Sequence, residues 1–214
     1  MARPDAEPGR IVAVFSLLSG VLSVLFLILT LVSPPGPHLS NYAGNIAFYE
    51  AYLVLILFWA IVSVPFVSGL WKMLGPRNST LALSAALLST GGILLLGFAV
   101  DMYVGTIVSI LTAGNPPSLA EADYQVAIWR NLSFILTDPA LMAWGLGQFL
   151  FGWLAWKSKT LPKWVAGIGM IGGVEGLLTE AVYQTPVLAV VQLASFAIWG
   201  IVVGITLLQP RRRP

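Results

Sequence analysis

Long apolar runs separated by short, breaker-rich stretches make up almost the whole chain. Crossing about 30 Å of hydrocarbon takes roughly 20 helical residues at about 1.5 Å each, so the runs can be counted against the breakers between them. The first run, Ile11 to Val32, stops at Ser33-Pro34-Pro35-Gly36-Pro37, which cannot continue a helix. The second, Phe48 to Met73, ends at Gly75-Pro76. The third covers 80–101 and stays apolar as far as Thr112, longer than a bilayer needs. After Asn115-Pro116-Pro117, the segment Ser118-Leu119-Ala120-Glu121 has the capping-box pattern, which predicts an outer helix over 119–137. Asp138-Pro139 reads as an N-cap or kink opening a fourth span over 138–156. The fifth span covers 162–183 and the sixth 186–208. The pattern predicts an all-α polytopic membrane protein, a single six-helix domain over residues 1–214 without internal repeats.

Composition strengthens this picture and excludes others. Apolar residues are 57% of the chain and charged ones 9%, against about 25% in a soluble domain. With mean hydropathy at +0.87, a soluble enzyme, a disordered tail, a coiled coil and a nucleic-acid binder are all excluded. The absence of cysteine removes disulfides, thiolate catalysis and iron-sulfur ligation.

Charge placement then gives an orientation, because short loops rich in Lys and Arg stay in the cytoplasm. Arg3 and Arg10, Lys72 and Arg77, Lys157, Lys159 and Lys163, and Arg211, Arg212 and Arg213 all fall on one side of the six spans. Arg130 alone of the eleven basic residues breaks the pattern. Both termini are therefore expected in the cytoplasm, with Trp71, Trp153, Trp156 and Trp164 as an inner aromatic belt and Tyr42, Tyr49, Tyr103 and Tyr183 at the outer boundary. The expected location is the cell membrane, multi-pass, in a prokaryotic plasma membrane.

Two stretches are familiar once the spans are placed. Gly9-Arg10-Ile11-Val12-Ala13 leads into the first span, and Gly152, Lys157-Ser158, Pro162 and Gly167 precede a glycine-rich segment from Gly169 to Gly176. In these features the chain resembles a bacterial and archaeal family of small six-span proteins, domain-of-unknown-function family 4386. The resemblance implies the six-span fold over nearly the whole chain and no particular activity.

An ionisable side chain within a membrane is a candidate for function, because it is expensive there unless paired or hydrated. Span boundaries and orientation place Glu50, Asp101, Asp138, Glu175 and Glu180 in the outer half, with Glu175 deepest. Arg130 and His38 lie at the same outer level, as do Tyr183 and Gln184. Together the acids suggest an outward-facing pocket for a cation or protonatable ligand. Each also has a structural alternative. Glu50 and Glu180 can reach headgroup water, Arg130 can pair with Asp101 or Asp138, and Glu175 can bond Thr179 one turn on.

The remaining small and polar residues read as packing. Gly169 with Gly173, and Gly172 with Gly176, form G-x-x-x-G pairs, and Ser16, Ser19, Gly20 and Ser23 make a small polar stripe on the first span. Gln148 and Gln192 are placed to hydrogen-bond across the bundle, while Trp59, Trp144 and Trp199 either fill space or line a cavity. A single histidine excludes bis-His haem, no mid-membrane lysine is present for a Schiff base, and no H-E-x-x-H, G-x-S-x-G or P-loop occurs. No cofactor and no metal are therefore assigned.

The leading functional expectation is binding or transport of a small ligand or cation through the acidic pocket. The alternative is a structural or accessory subunit of a larger membrane complex, and a membrane-embedded enzyme comes third. Expected partners are the lipid bilayer, the ligand or cation, and a membrane protein or second copy of the chain, with no nucleic acid.

Overall fold

The computed structural model describes residues 6–32, 43–114, 117–182 and 186–209. They form α1 (Ala6–Val32), a short 3-10 turn (Ala43–Asn45), α2 (Ile46–Leu74), α3 (Ser79–Thr112), α4 (Leu119–Ser158), α5 (Lys163–Val182) and α6 (Pro186–Leu208). Among the described residues, Gly9–Val32 of α1, Val190–Leu208 of α6 and all of α2, α3 and α4 are long and apolar enough to cross a membrane. The protein is an α-helical, multi-pass membrane protein. At 20 residues, α5 has the length a bilayer requires. The expectations for His38, Tyr42, Tyr183, Gln184, Arg3 and Arg211 to Arg213 fall outside the described residues, as do the side chains of Thr179 and Glu180.

Local signals in the sequence account for several helix ends. The Ser118 hydroxyl accepts from the Glu121 amide while the Glu121 carboxylate accepts from the Ser118 amide, so the expected capping box starts α4. At the start of α3 the Asn78 side chain accepts from the Leu81 amide at 3.0 Å. α4 ends at Lys159, whose φ of 56° lies in the left-handed region where glycine is the usual occupant. That conformation costs a side-chain-bearing residue about 1–2 kcal/mol.

One local reading is corrected. Asp138 does not cap a helix: it and Pro139 lie inside the unbroken 40-residue α4. A proline in a helix removes one amide donor and crowds the preceding turn, but tertiary packing on both sides can hold the helix through it. Here Ser133 before the proline and Ala140, Leu141 and Trp144 after it are all buried. α2 runs through Pro65 in the same way, with Val62, Ser63, Phe66 and Val67 buried around it.

Each helix packs on its neighbours in the chain, and α6 returns to α1, closing a ring in sequence order. The axis of this ring is filled by aromatic side chains from α2, α4 and α6. Phe196 has its ring centroid 4.6 Å from Trp144, 6.3 Å from Trp59, 6.1 Å from Phe66 and 6.5 Å from Trp199. All five are buried. In lipid the hydrophobic effect does not drive helices together, so close packing must. Tilted and edge-on aromatic pairs of this kind contribute about 0.5–1.5 kcal/mol each beyond the area they bury.

Glycines set the tightest crossings. A Cβ on Gly92 of α3 would lie 2.5 Å from the Ala140 carbonyl oxygen of α4, and one on Gly20 of α1 would lie 2.7 Å from the Ile201 amide of α6. The small polar stripe of α1 is likewise a helix contact. Ser16 donates to the Gly200 carbonyl at 2.6 Å, Ser19 and Ser63 hydroxyls meet at 2.6 Å, and the Trp59 indole donates to Ser23 at 2.7 Å. Every one of these groups is buried. On the outer surface of the ring, Ile11, Val14, Leu18, Val21, Leu25 and Ile28 of α1 are exposed at helical spacing, as a lipid-facing side requires.

At about 1.5 Å per residue, α3 with 34 residues and α4 with 40 are far longer than the hydrocarbon is thick. They pack on each other, burying Val104, Ile107 and Ile110 toward the end of α3 and Ala122 and Val126 toward the start of α4.

Candidate functional site

The acids singled out in the sequence go to different surroundings. Glu50 is exposed on α2, where it borders a shallow cleft with Ala47, Ala51, Val54, Leu55 and Phe58. Asp101 on α3 and Asp138 on α4 are half-buried. Arg130, also half-buried, holds its guanidinium 5.4 Å from the centre of the Phe134 ring one turn on, a cation–π contact within its own helix. Glu180 belongs to α5.

Glu175 is the acid drawn into the bundle. It is half-buried on α5, and its carboxylate accepts a hydrogen bond of 2.5 Å from the Ser195 hydroxyl of α6. Glu175 lies 12 residues beyond Lys163, hence about 18 Å along α5 from its start. Charge-assisted hydrogen bonds of this kind are short and strong.

The glycine face of α5 brings further polar groups to the same level. A Cβ on Gly172 would lie 2.6 Å from the Gln148 side-chain nitrogen and 2.9 Å from Ser195 Cβ. One on Gly169 would lie 2.7 Å from the Trp199 indole nitrogen, and one on Gly176 would strike the Gln192 amide. With hydrogen in place of a side chain at these three positions, Gln148 of α4 and Gln192 and Trp199 of α6 pack directly on the α5 backbone. Gln148 is 1% exposed and Gln192 0%.

These buried groups are incompletely bonded. Gln192 donates to the Leu141 carbonyl at 2.9 Å, the cross-bundle bond its position suggested. Its carbonyl oxygen, both amide atoms of Gln148, and the indole nitrogens of Trp144 and Trp199 have no hydrogen-bond partner among the described residues. Leaving a buried polar group unsatisfied costs about 1–3 kcal/mol, so a cluster of them calls for an explanation.

Chemically the α5 face offers one carboxylate, a hydroxyl, two carboxamides and the Trp199 indole donor, while the Trp144 indole lies on the ring axis. Among the described residues no group of three or more His, Cys, Asp or Glu side chains could hold a metal ion. A single carboxylate flanked by neutral oxygens suits a univalent cation, a protonated amine or a proton better than a divalent metal, which draws on several carboxylates.

Sequence reasoning found Glu175, Gln148, Gln192, Trp144 and Trp199 but not Ser195. The signal was present, since Gln192 and Ser195 are three residues apart and so share a helix face.

No curated protein and no solved structure matches the chain. The model of the family described as domain of unknown function (DUF4386) does match, over residues 10–209 and thus from α1 through α6, and the chain belongs to that family.

Proposed function

We propose that the protein binds a small cationic or protonatable ligand within the membrane, at the cluster where α4, α5 and α6 meet around Glu175. The observation that carries this reading is the set of buried, unbonded polar atoms on Gln148, Gln192 and Trp199, packed on the α5 backbone that carries a carboxylate already oriented by Ser195. In a bundle interior such groups are costly without a partner, and a bound ligand is one way to supply it. Asp101, Asp138, Glu180 and Arg130 form, in this reading, the outer approach to Glu175, with Glu50 turned outward on α2, on a protein with six spans and cytoplasmic termini in a prokaryotic plasma membrane.

The second reading, an accessory subunit of a larger membrane complex, draws support from the ring axis, where Trp59, Trp144 and Phe196 fill the space a central conduit would occupy. The two readings separate on the purified protein in detergent. Thermal-shift measurements with a panel of alkali cations and small organic amines across pH should show stabilisation of the wild type that is lost in Glu175→Gln. Identical responses from the two proteins at every pH would remove the ligand site and favour the accessory role.

A further inference from the structure

The end of the bundle opposite this cluster carries a second polar site, built from two loops. Met73, Pro76 and Arg77, from the end of α2 and the α2–α3 turn, face Ser158, Lys159 and Thr160, from the end of α4 and the α4–α5 turn. Between them lies an open cleft of about 560 Å³. Its lining combines two cations with two hydroxyls, and the Ser158 and Thr160 hydroxyls are held together at 2.6 Å.

Neighbouring side chains fix the level of this cleft relative to lipid. Lys157 lies 4.9 Å from the centre of the Trp153 ring and Lys163 lies 5.7 Å from that of Trp156, and both tryptophans are exposed. Exposed tryptophans with lysines over their rings sit at headgroup depth. Lys157 and Lys163 are thereby turned onto aromatic faces, whereas Arg77 and Lys159 line the cleft.

The backbone at Lys159 adds an independent observation. This residue occupies the left-handed position at the end of α4, where glycine would be unstrained. The turn it makes brings Ser158 and Thr160 together across it, and its own side chain supplies a cation that glycine could not. Strain held at a polar cleft is a reasonable pointer to a ligand.

We propose that the cleft between the α2–α3 and α4–α5 turns binds the phosphate group of an anionic phospholipid, with Arg77 and Lys159 as the charge partners and Ser158 and Thr160 as hydrogen-bonding groups. Guanidinium and ammonium groups with adjacent hydroxyls match phosphate oxygens. The headgroup level of the cleft, and the half-buried Met73 in its wall, favour a lipid over free phosphate. This site is separate from the Glu175 cluster, and each can fail without the other.

The test measures thermal unfolding of the full-length protein in detergent, titrated with phosphatidylglycerol, phosphatidylcholine or inorganic phosphate. Phosphatidylglycerol should raise the wild-type midpoint well beyond phosphatidylcholine. Arg77→Gln and Lys159→Gly should each require about fivefold more phosphatidylglycerol for half the effect, since one cation near an anionic surface contributes that much. Arg10→Gln, at the same end but outside the cleft, should behave as wild type. Lys159→Gly is the informative variant: relief of its backbone should leave it at least as stable as wild type in phosphatidylcholine while its response to phosphatidylglycerol weakens. Equal shifts by the two lipids on the wild type, an unchanged titration in a variant combining Arg77→Gln with Lys159→Gly, or an inorganic phosphate effect equal to that of phosphatidylglycerol would each overturn the proposal.

Discussion

Ser195 of α6 and Glu175 of α5 are 20 positions apart in the chain, yet the serine hydroxyl donates to the glutamate carboxylate at 2.5 Å. The bond turns the acid toward the bundle rather than the surrounding lipid, and it ties α5 to α6 near the middle of both helices. Gly172, one turn earlier, leaves the space in which Ser195 and Gln148 both reach the α5 backbone. The position of the acid is thus decided by its neighbours on two other helices.

If this bond is part of the bundle's stability, Ser195→Ala and Glu175→Gln should not be additive. A double-mutant cycle on unfolding in detergent should give a coupling of about 0.6 kcal/mol, the average for hydrogen bonds between membrane helices, and no more than about 1.7 kcal/mol. Additive effects would show that the carboxylate finds an equal partner elsewhere.

Glycine substitutions should separate helix-facing from lipid-facing positions sharply. A Cβ on Gly173 would lie 2.5 Å from both the backbone nitrogen and Cβ of Phe149, so Gly173→Leu must push α4 and α5 apart. A loss of about 3 kcal/mol or more is expected. Gly91, exposed on α3 with nothing within 4 Å of its built Cβ, should accept alanine with a gain of about 0.5–1 kcal/mol. Comparable unfolding midpoints for Gly173→Leu and wild type would contradict the packing of α5.

The seam between α1 and α2 depends on the Trp59 indole reaching Ser23, whose hydroxyl in turn donates to the Ser19 carbonyl. Ser23→Ala leaves a fully buried indole donor without its acceptor and should destabilise the protein by about 1–3 kcal/mol. Trp59→Phe in the Ser23→Ala background should cost less than Trp59→Phe alone, because no donor is then stranded. Thermal unfolding of the four proteins decides it.

The six-span topology can be tested directly, since the chain contains no cysteine. Single cysteines at Leu119 and Gln184 should react with an impermeant maleimide on intact cells, whereas those at Thr80 and Lys163 should react only after permeabilisation. Labelling of Gln184 and Lys163 from the same side would mean that α5 does not cross.

Much of the fold was legible in the sequence because its signals are local. Prolines and glycines end the apolar runs, Ser118 and Glu121 satisfy each other's backbone across one turn, and a span needs only length and low polarity to be recognised. The same locality explains why a cap at Asp138 was one of its two readings. Asp followed by Pro is a valid helix start on its own, and only the packing of Ser133, Ala140, Leu141 and Trp144 carries α4 through it.

Tertiary structure alone decided which polar residues meet. By sequence and depth, Glu50, Asp101, Asp138, Glu175 and Glu180 were all outer acids with Glu175 deepest, because depth follows from counting residues along each helix. What counting cannot supply is the rotation of each helix about its axis and the identity of its neighbour across the ring. Those are set by where small residues let backbones approach and where large aromatics fill the axis. Phe196 and Trp144 at the centre, and Gly172 and Gly176 against Gln148 and Gln192, fix the rotation that turns Glu175 onto Ser195. Glu50, on α2, is turned outward by the same packing that buries Tyr49, Tyr52 and Ile56 of its helix. Hydrocarbon demands internally bonded backbone over a fixed length, so the apolar runs were enough to make this chain a membrane-spanning set of helices. Which side chains share its interior was decided by the packing of six helices at once.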